Sequence, residues 1–135
     1  MTAIIIGYAA ALVAFVGIDL VWLGWIARGL YLRDMGSLLR PAPSLPPAVA
    51  FYLLYAAGLM FFAVMPGVRG GSVSQAMLLG AALGLVAYGT YDLTSLSVIN
   101  GFGTRIALID MAWGTVLSGA AAAVASAVMM RFQPG

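Results

Sequence analysis

The chain has 135 residues, of which 64% are hydrophobic and 7% charged, and its mean hydropathy is +1.08. Values this apolar lie outside the range of soluble domains and indicate an integral membrane protein. The sequence contains no cysteine and no histidine, so we expect no disulfide, no metal and no cofactor. Six arginines, scattered singly, give a net charge of +2, which argues against nucleic acid as a partner.

Four apolar segments are long enough to cross a bilayer, which requires about 20 apolar residues per helix. They predict an all-α bundle of four transmembrane helices that forms a single domain, 1–135, with spans at about 3–27, 48–65, 73–97 and 105–130. The Pro46–Pro47 pair is expected to start the second span, and Pro66 to end it. The long connection 28–47 carries three Arg and four Pro and favours a short interfacial helix at about 30–39.

Arginine counts predict the orientation of the bundle through the positive-inside rule. The side that carries the 28–47 and 98–105 connections holds four arginines, against two on the opposite side. The sequence therefore predicts that these two connections are cytoplasmic and that both termini are outside.

Three of the four acidic residues, Asp19, Asp92 and Asp110, lie inside predicted spans. Because successive spans are antiparallel, the ends of spans one and three meet the start of span four on the same side. At 1.5 Å per residue, the three carboxyl groups lie about 8 to 12 Å below one interface. Ionisable groups at such a depth are costly and are functional candidates by default. The sequence therefore predicts one polar layer in which the three could share a pocket.

Aromatic and hydroxyl side chains accompany these aspartates. Trp22 follows Asp19 by three residues, and Trp113 follows Asp110 by three, so each pair shares a helix face. Spans two and three add tyrosines at the same depth. The candidate polar cluster comprises Asp19, Trp22, Tyr52, Tyr55, Tyr88, Tyr91, Asp92, Thr94, Asp110 and Trp113. The alternative is that the aromatic residues anchor the helices at headgroup level and that the aspartates fix helix packing.

Small residues occupy the other half of spans three and four. Gly80 and Gly84 form a small-xxx-small step, and span four contains the run SGAAAAVASA. Such steps let helices approach closely. Because four spans make a narrow bundle, a transporter would need to dimerise to enclose a path, and the Gly80/Gly84 face is the predicted seam of a homodimer.

Four motifs, one in each span, resemble a bacterial family of integral membrane proteins, the domain of unknown function 2177. The motifs are Asp-x-x-Trp-Leu-Gly from Asp19, Phe-Tyr-x-x-Tyr-x-x-Gly from Phe51, Tyr-x-x-Tyr-Asp-Leu-Thr from Tyr88 and Asp-x-x-Trp-Gly from Asp110. One position departs from the family's pattern, because Ser95 stands where an Asn usually follows the Thr. The resemblance covers nearly the whole chain. It implies a multi-pass protein of the bacterial inner membrane and carries no established activity.

Three classes of function remain open. The first is the binding or transport of a small molecule or lipid at the aspartate layer, in contact with membrane lipids. The second is a structural or accessory subunit whose polar layer only specifies helix pairing. The third is an intramembrane enzyme that uses paired aspartates as acid and base, although the Gly-x-Gly-Asp motif of intramembrane aspartyl proteases is absent. We rank binding first and the enzyme last.

Overall fold

A computed structural model describes residues 2–26, 28–35 and 44–132. Within these ranges every regular element is helical. The elements are α1 (Thr2–Val21), α2 (Arg28–Met35), α3 (Leu45–Leu59), α4 (Met65–Arg69), α5 (Val73–Val98) and α6 (Thr104–Arg131), with π-helical segments at Trp22–Ile26 and Met60–Val64.

Four helical spans are long and apolar enough to cross a membrane, which confirms the predicted four-helix architecture. They are Thr2–Trp25, Leu45–Arg69, Val73–Val98 and Thr104–Arg131. The end of α1, the start of α3, the end of α5 and the start of α6 lie at the same end of the bundle. We call it the aspartate end, because it contains Asp19, Asp92 and Asp110.

The second span is longer than the sequence predicted. It begins at Leu45 with prolines in its first turn, as expected, but it continues through Pro66 to Arg69. The π-helical segment precedes this proline, and the Met65 N–H bonds to the Met60 carbonyl five residues back. Pro66 then lies in the first turn of α4, where a helix tolerates a missing N–H. The predicted end at Pro66 was therefore wrong.

The interfacial helix α2 packs over the aspartate end. Leu30 packs with Phe102 and Ile106 at the start of α6. Asp34 forms an ion pair with Arg105, with an Oδ2–Nε distance of 3.5 Å. The helix begins two residues earlier than predicted, and the rest of its predicted length falls in 36–43, outside the described residues.

Helices α5 and α6 form the most extensive helix contact of the bundle. A Cβ atom placed on Gly80 would lie 2.6 Å from the Cβ of Ala122, and one on Gly84 would lie 2.6 Å from the Oγ of Ser118. Only residues without a side chain allow this approach. The face predicted as a homodimer seam is thus filled by α6 of the same chain, and a second copy would have to use another surface.

The apolar core lies between α1, the second span and α6, next to the aspartate layer. Phe15, Leu59 and Leu117 are at most 1% exposed. Phe15 precedes Asp19 by one helical turn, and its ring centroid lies 4.9 Å from that of Tyr55. The polar layer therefore borders directly on closely packed apolar side chains.

Candidate functional site

Asp19 is almost fully buried, and two donors satisfy its carboxylate. The Tyr52 hydroxyl donates to Oδ2 at 2.7 Å, and the Trp113 indole N–H donates to Oδ1 at 3.0 Å. The Trp113 ring also stacks on Trp22, with ring centroids 4.3 Å apart. These contacts join α1 and the π-helical segment after it to α3 and α6. We call Asp19, Trp22, Tyr52 and Trp113 the Asp19 clamp.

Asp92 is also buried, but its carboxyl group lacks such donors. It is 1% exposed, and neither of its carboxyl oxygens has a hydrogen-bond partner within the described part of the chain. A buried polar group without a partner costs about 1–3 kcal/mol, and more when it is charged. Because buried polar groups are normally hydrogen-bonded, this exception requires a physical explanation.

Asp110 of α6 lies beside Asp92. The two carboxyl groups are within hydrogen-bonding reach of each other, and no other described residue donates to the Asp92 oxygens. Two adjacent carboxylates repel each other when both are ionised. The Asp92–Asp110 pair therefore favours the presence of a proton or another positive group.

A cleft of about 430 Å³ opens beside this pair. It is lined by Phe51, Ala87, Tyr88, Tyr91 and Asp110. The side chains of Phe51 on α3 and Tyr91 on α5 are exposed at the bundle surface. The cleft therefore opens sideways between these two helices. Asp92 does not line the cleft itself but lies against Asp110, which does.

Tyr88 lies between the Asp19 clamp and the Asp92–Asp110 pair. Its hydroxyl interacts electrostatically with both Asp19 and Asp110. Its ring lies directly on the backbone of Gly114, where any Cβ atom would overlap the ring. The glycine at this position therefore allows Tyr88 to form a wall of the cleft.

Tyr55 extends the polar network toward the core. Its hydroxyl shares a hydrogen bond of 2.7 Å with that of Ser118, and both residues are buried. Neither Ser118 nor Phe51 is among the site residues predicted from the sequence. The spacing of α6 could have identified the serine. Asp110, Gly114 and Ser118 recur every four residues, so Ser118 lies on the same helix face as Asp110.

Thr94 does not join the other predicted site residues. Its side chain is exposed, and its hydroxyl donates to the carbonyls of Thr90 and Tyr91 on its own helix. Residues two positions apart on a helix point in different directions, so Thr94 and Asp92 cannot share a face.

The three aspartates separate into two environments. The described residues contain no group of three acidic side chains that could hold a metal ion. Asp19 uses its acceptors within the clamp, whereas Asp92 and Asp110 form a pair beside the cleft. The pair, and not the clamp, borders the cleft.

Comparison with known proteins places this site within one family. A family model described as "Predicted membrane protein (DUF2177)" matches residues 4–127 and so includes the clamp, the pair and the cleft. No curated protein and no solved structure matches the chain. With four membrane-spanning helices and a match over most of its length, the chain belongs to this family of membrane proteins of unknown function.

Proposed function

We propose that the protein binds a small molecule or lipid in the cleft beside the Asp92–Asp110 pair. The observation that carries this proposal is the buried carboxyl group of Asp92, which has no hydrogen-bond donor among the described residues apart from the adjacent carboxyl group of Asp110. A ligand that brings positive charge to Asp110 would reduce the repulsion within the pair and so lower the cost of burying Asp92. The cleft volume of about 430 Å³ lies within the usual range of ligand sites.

A purely structural role of the polar layer fits Asp19 better than Asp92. The bonds from Tyr52 and Trp113 to Asp19 cross between helices, as expected of polar residues that specify helix pairing. Asp92 forms no corresponding bond within the described residues. Helix pairing therefore does not account for the Asp92–Asp110 pair.

Transport is a further proposal for the same site. The cleft lies at the aspartate end, and the packed core around Phe15, Leu59 and Leu117 lies deeper in the bundle. Movement of a ligand to the other side would require this core to open or a second copy to contribute a path. Binding is the part of the proposal that the site supports most directly.

The adjacency of two carboxyl groups also favours one alternative, an intramembrane enzyme with an acid–base dyad. A dyad requires both groups, so Asp92→Asn or Asp110→Asn alone would abolish turnover. A binding site would keep part of its affinity when one carboxylate remains. Measuring both substrate turnover and ligand affinity in the two single variants therefore distinguishes the two functions.

We also infer a location in the bacterial inner membrane. The inference is supported by the resemblance to a bacterial family and by four apolar helical spans. Separation of inner and outer membranes on a density gradient tests it, and recovery with the outer membrane would contradict it.

The binding proposal is tested by analysing the molecules that the purified protein retains. The wild type, Asp110→Ala and Thr94→Val are purified in a mild detergent, and organic extracts are compared by mass spectrometry. Thr94→Val is the matched control, because this side chain is exposed and bonds only to its own helix. We expect the wild type and the control to retain a molecule, in near-stoichiometric amount, that Asp110→Ala loses. Equal retention by all three proteins would contradict the proposal.

A further inference from the structure

We infer that the site takes an amphiphile in which an ammonium group is joined to an apolar chain. This inference rests on the proposed binding function and names the class of its ligand. Its two parts, the ammonium head and the apolar chain, depend on separate features of the molecule.

The head group is indicated by the one acidic residue and the three aromatic residues that line the cleft. Asp110 faces the cleft, and Asp92 lies against it with two oxygens that lack donors. An ammonium group brings positive charge and N–H donors together. The rings of Phe51, Tyr88 and Tyr91 line the same space. Aromatic faces attract cations by about 0.5–2 kcal/mol each, so the walls favour the same head group.

The Asp92–Asp110 pair also disfavours a head group of net negative charge. A fatty-acid carboxylate or a phosphate monoester in the cleft would meet the pair and be repelled, whereas the ammonium of an amine or of a zwitterion would not. The ion pair that the structure describes at this end, Arg105 with Asp34, joins α6 to α2, and the Arg105 side chain is 62% exposed. The positive charge of this arginine is therefore already matched outside the cleft.

The apolar chain is indicated by a groove that continues from the cleft. This groove has a volume of about 470 Å³ and is lined by Phe51, Leu54, Tyr55, Ala57, Gly58, Phe62, Leu83 and Ala87. Phe51 and Ala87 line both spaces, so the groove adjoins the cleft. Phe62 lies eleven residues beyond Phe51, a helical rise of about 16 Å, which matches an alkyl chain of roughly a dozen carbons.

Two sources supply this chemistry. One is the ethanolamine head group of a membrane phospholipid, and the other is a free long-chain amine. Both carry an ammonium group and an apolar chain, which are joined directly in the amine and through a phosphate and a glycerol in the phospholipid. A competition experiment separates them.

The test measures equilibrium binding of radiolabelled dodecylamine to the purified, immobilised protein in dodecyl maltoside micelles, which carry neither charge nor amine. We expect saturable binding that Asp92→Asn and Asp110→Asn each weaken about tenfold or more, equivalent to ~1.4 kcal/mol. Thr94→Val should bind as the wild type does. Unchanged binding in both Asn variants would overturn the inference.

Unlabelled competitors test the head and the chain separately. Dodecanol has the same chain without charge, and butylamine has the same head on a short chain, so neither should displace the probe at concentrations where unlabelled dodecylamine does. Displacement by phosphatidylethanolamine would assign the chemistry to a lipid, and its failure to displace would assign it to a free amine. Displacement by dodecanol as effectively as by dodecylamine would overturn the inference.

A pair of glycine substitutions tests the groove without touching the carboxyl groups. Gly58→Leu would fill the groove that holds the chain, and Gly17→Leu would fill a different groove between α1 and α3. A Cβ atom at either glycine meets nothing within 4 Å, so neither variant should misfold. We expect Gly58→Leu alone to weaken dodecylamine binding, and equal binding by both variants would contradict the position of the chain.

Failure of this inference is distinguishable from failure of the proposed function. If the protein retains a neutral or anionic molecule in an Asp110-dependent manner, the binding function holds and the ammonium inference is wrong. If retention does not depend on Asp110, both are wrong.

Discussion

Asp19 and Asp92 are both buried carboxyl groups at the same end of the bundle, but they differ in what satisfies them. Asp19 receives hydrogen bonds from Tyr52 and Trp113, whereas the oxygens of Asp92 receive none from the described residues. Groups retained for function commonly reduce stability, and groups retained for packing increase it. The two residues should therefore respond oppositely to the same isosteric change.

We predict that Asp19→Asn lowers the thermal stability of the purified protein and that Asp92→Asn leaves it equal or raises it. The first change removes one of two acceptors and leaves a donor unpaired, at a cost of about 1–3 kcal/mol. The second removes the repulsion within the Asp92–Asp110 pair and provides an amide that can donate to Asp110. Thermal unfolding in detergent measures both variants, and an equal loss of stability in the two would contradict this assignment.

Residue spacing predicted part of the site. The i, i+3 spacing correctly placed Trp113 near an aspartate layer, but its N–H bonds to Asp19 of another helix and not to Asp110 of its own. Sequence spacing fixes the face of a helix and not the partner across it, because the partner depends on how helices rotate in the bundle. Thr94 follows Asp92 in the Tyr-x-x-Tyr-Asp-Leu-Thr motif, but its spacing from Asp92 already places it on another helix face, outside the polar cluster.

At the scale of helices, the contact between α5 and α6 depends on residues that lack side chains. Gly84 lies against Gly114 and Ser118, and the Tyr88 ring lies on Gly114. The same close approach positions Tyr88 beside the cleft, so helix packing and site geometry are linked through Gly114.

We predict that Gly114→Ala destabilises the protein by about 1–3 kcal/mol, as expected for overpacking, and weakens ligand retention, because the Tyr88 ring must move into the cleft. Gly17→Ala is the matched control within a membrane helix, outside the proposed ligand groove. A Cβ atom there meets nothing within 4 Å, and alanine has the higher helix propensity, so its stability should be equal or higher. Equal thermal stability of Gly114→Ala and the wild type would show that the contact is not tight.

The four spans could be predicted from hydropathy, whereas the end of the second span could not. Pro66 and Gly67 are typical of a helix end, and yet the helix continues. A π-helical segment precedes Pro66, and Gly67 lies so close to α5 that a Cβ atom would be 2.8 Å from the Ala76 backbone nitrogen. Both features depend on contacts with a later helix, which local composition does not encode.

At the scale of the whole molecule, the site lies at one end of the bundle, so its orientation decides which compartment it adjoins. The aspartate end carries the 28–47 connection and the start of α6, the side with more arginines. The positive-inside rule predicts that this end is cytoplasmic. The homodimer stays a prediction without an assigned surface, because Gly80 and Gly84 pack within the chain.

We predict that alkaline phosphatase fused to the C-terminus is active and that green fluorescent protein fused at the same position is dark, because the arginine count predicts both termini outside. A fusion of either reporter to the connection after α2 should give the reverse pattern. Cytoplasmic fluorescence from the C-terminal fusion would place the aspartate end outside and contradict the arginine count.

The central claim is that the Asp92–Asp110 pair belongs to the ligand site and that Asp19 belongs to a structural clamp. Labelling the wild type with dicyclohexylcarbodiimide tests this claim most directly. This apolar reagent adds to protonated carboxyl groups and rearranges to a stable N-acylurea. Cleavage after arginine separates the three aspartates into peptides 1–28, 70–105 and 106–131. We predict modification of Asp92 on the second peptide or of Asp110 on the third. Asp19 should stay unmodified, because its oxygens accept hydrogen bonds from Tyr52 and Trp113. Modification confined to Asp19, or equal on all three peptides, would contradict the account.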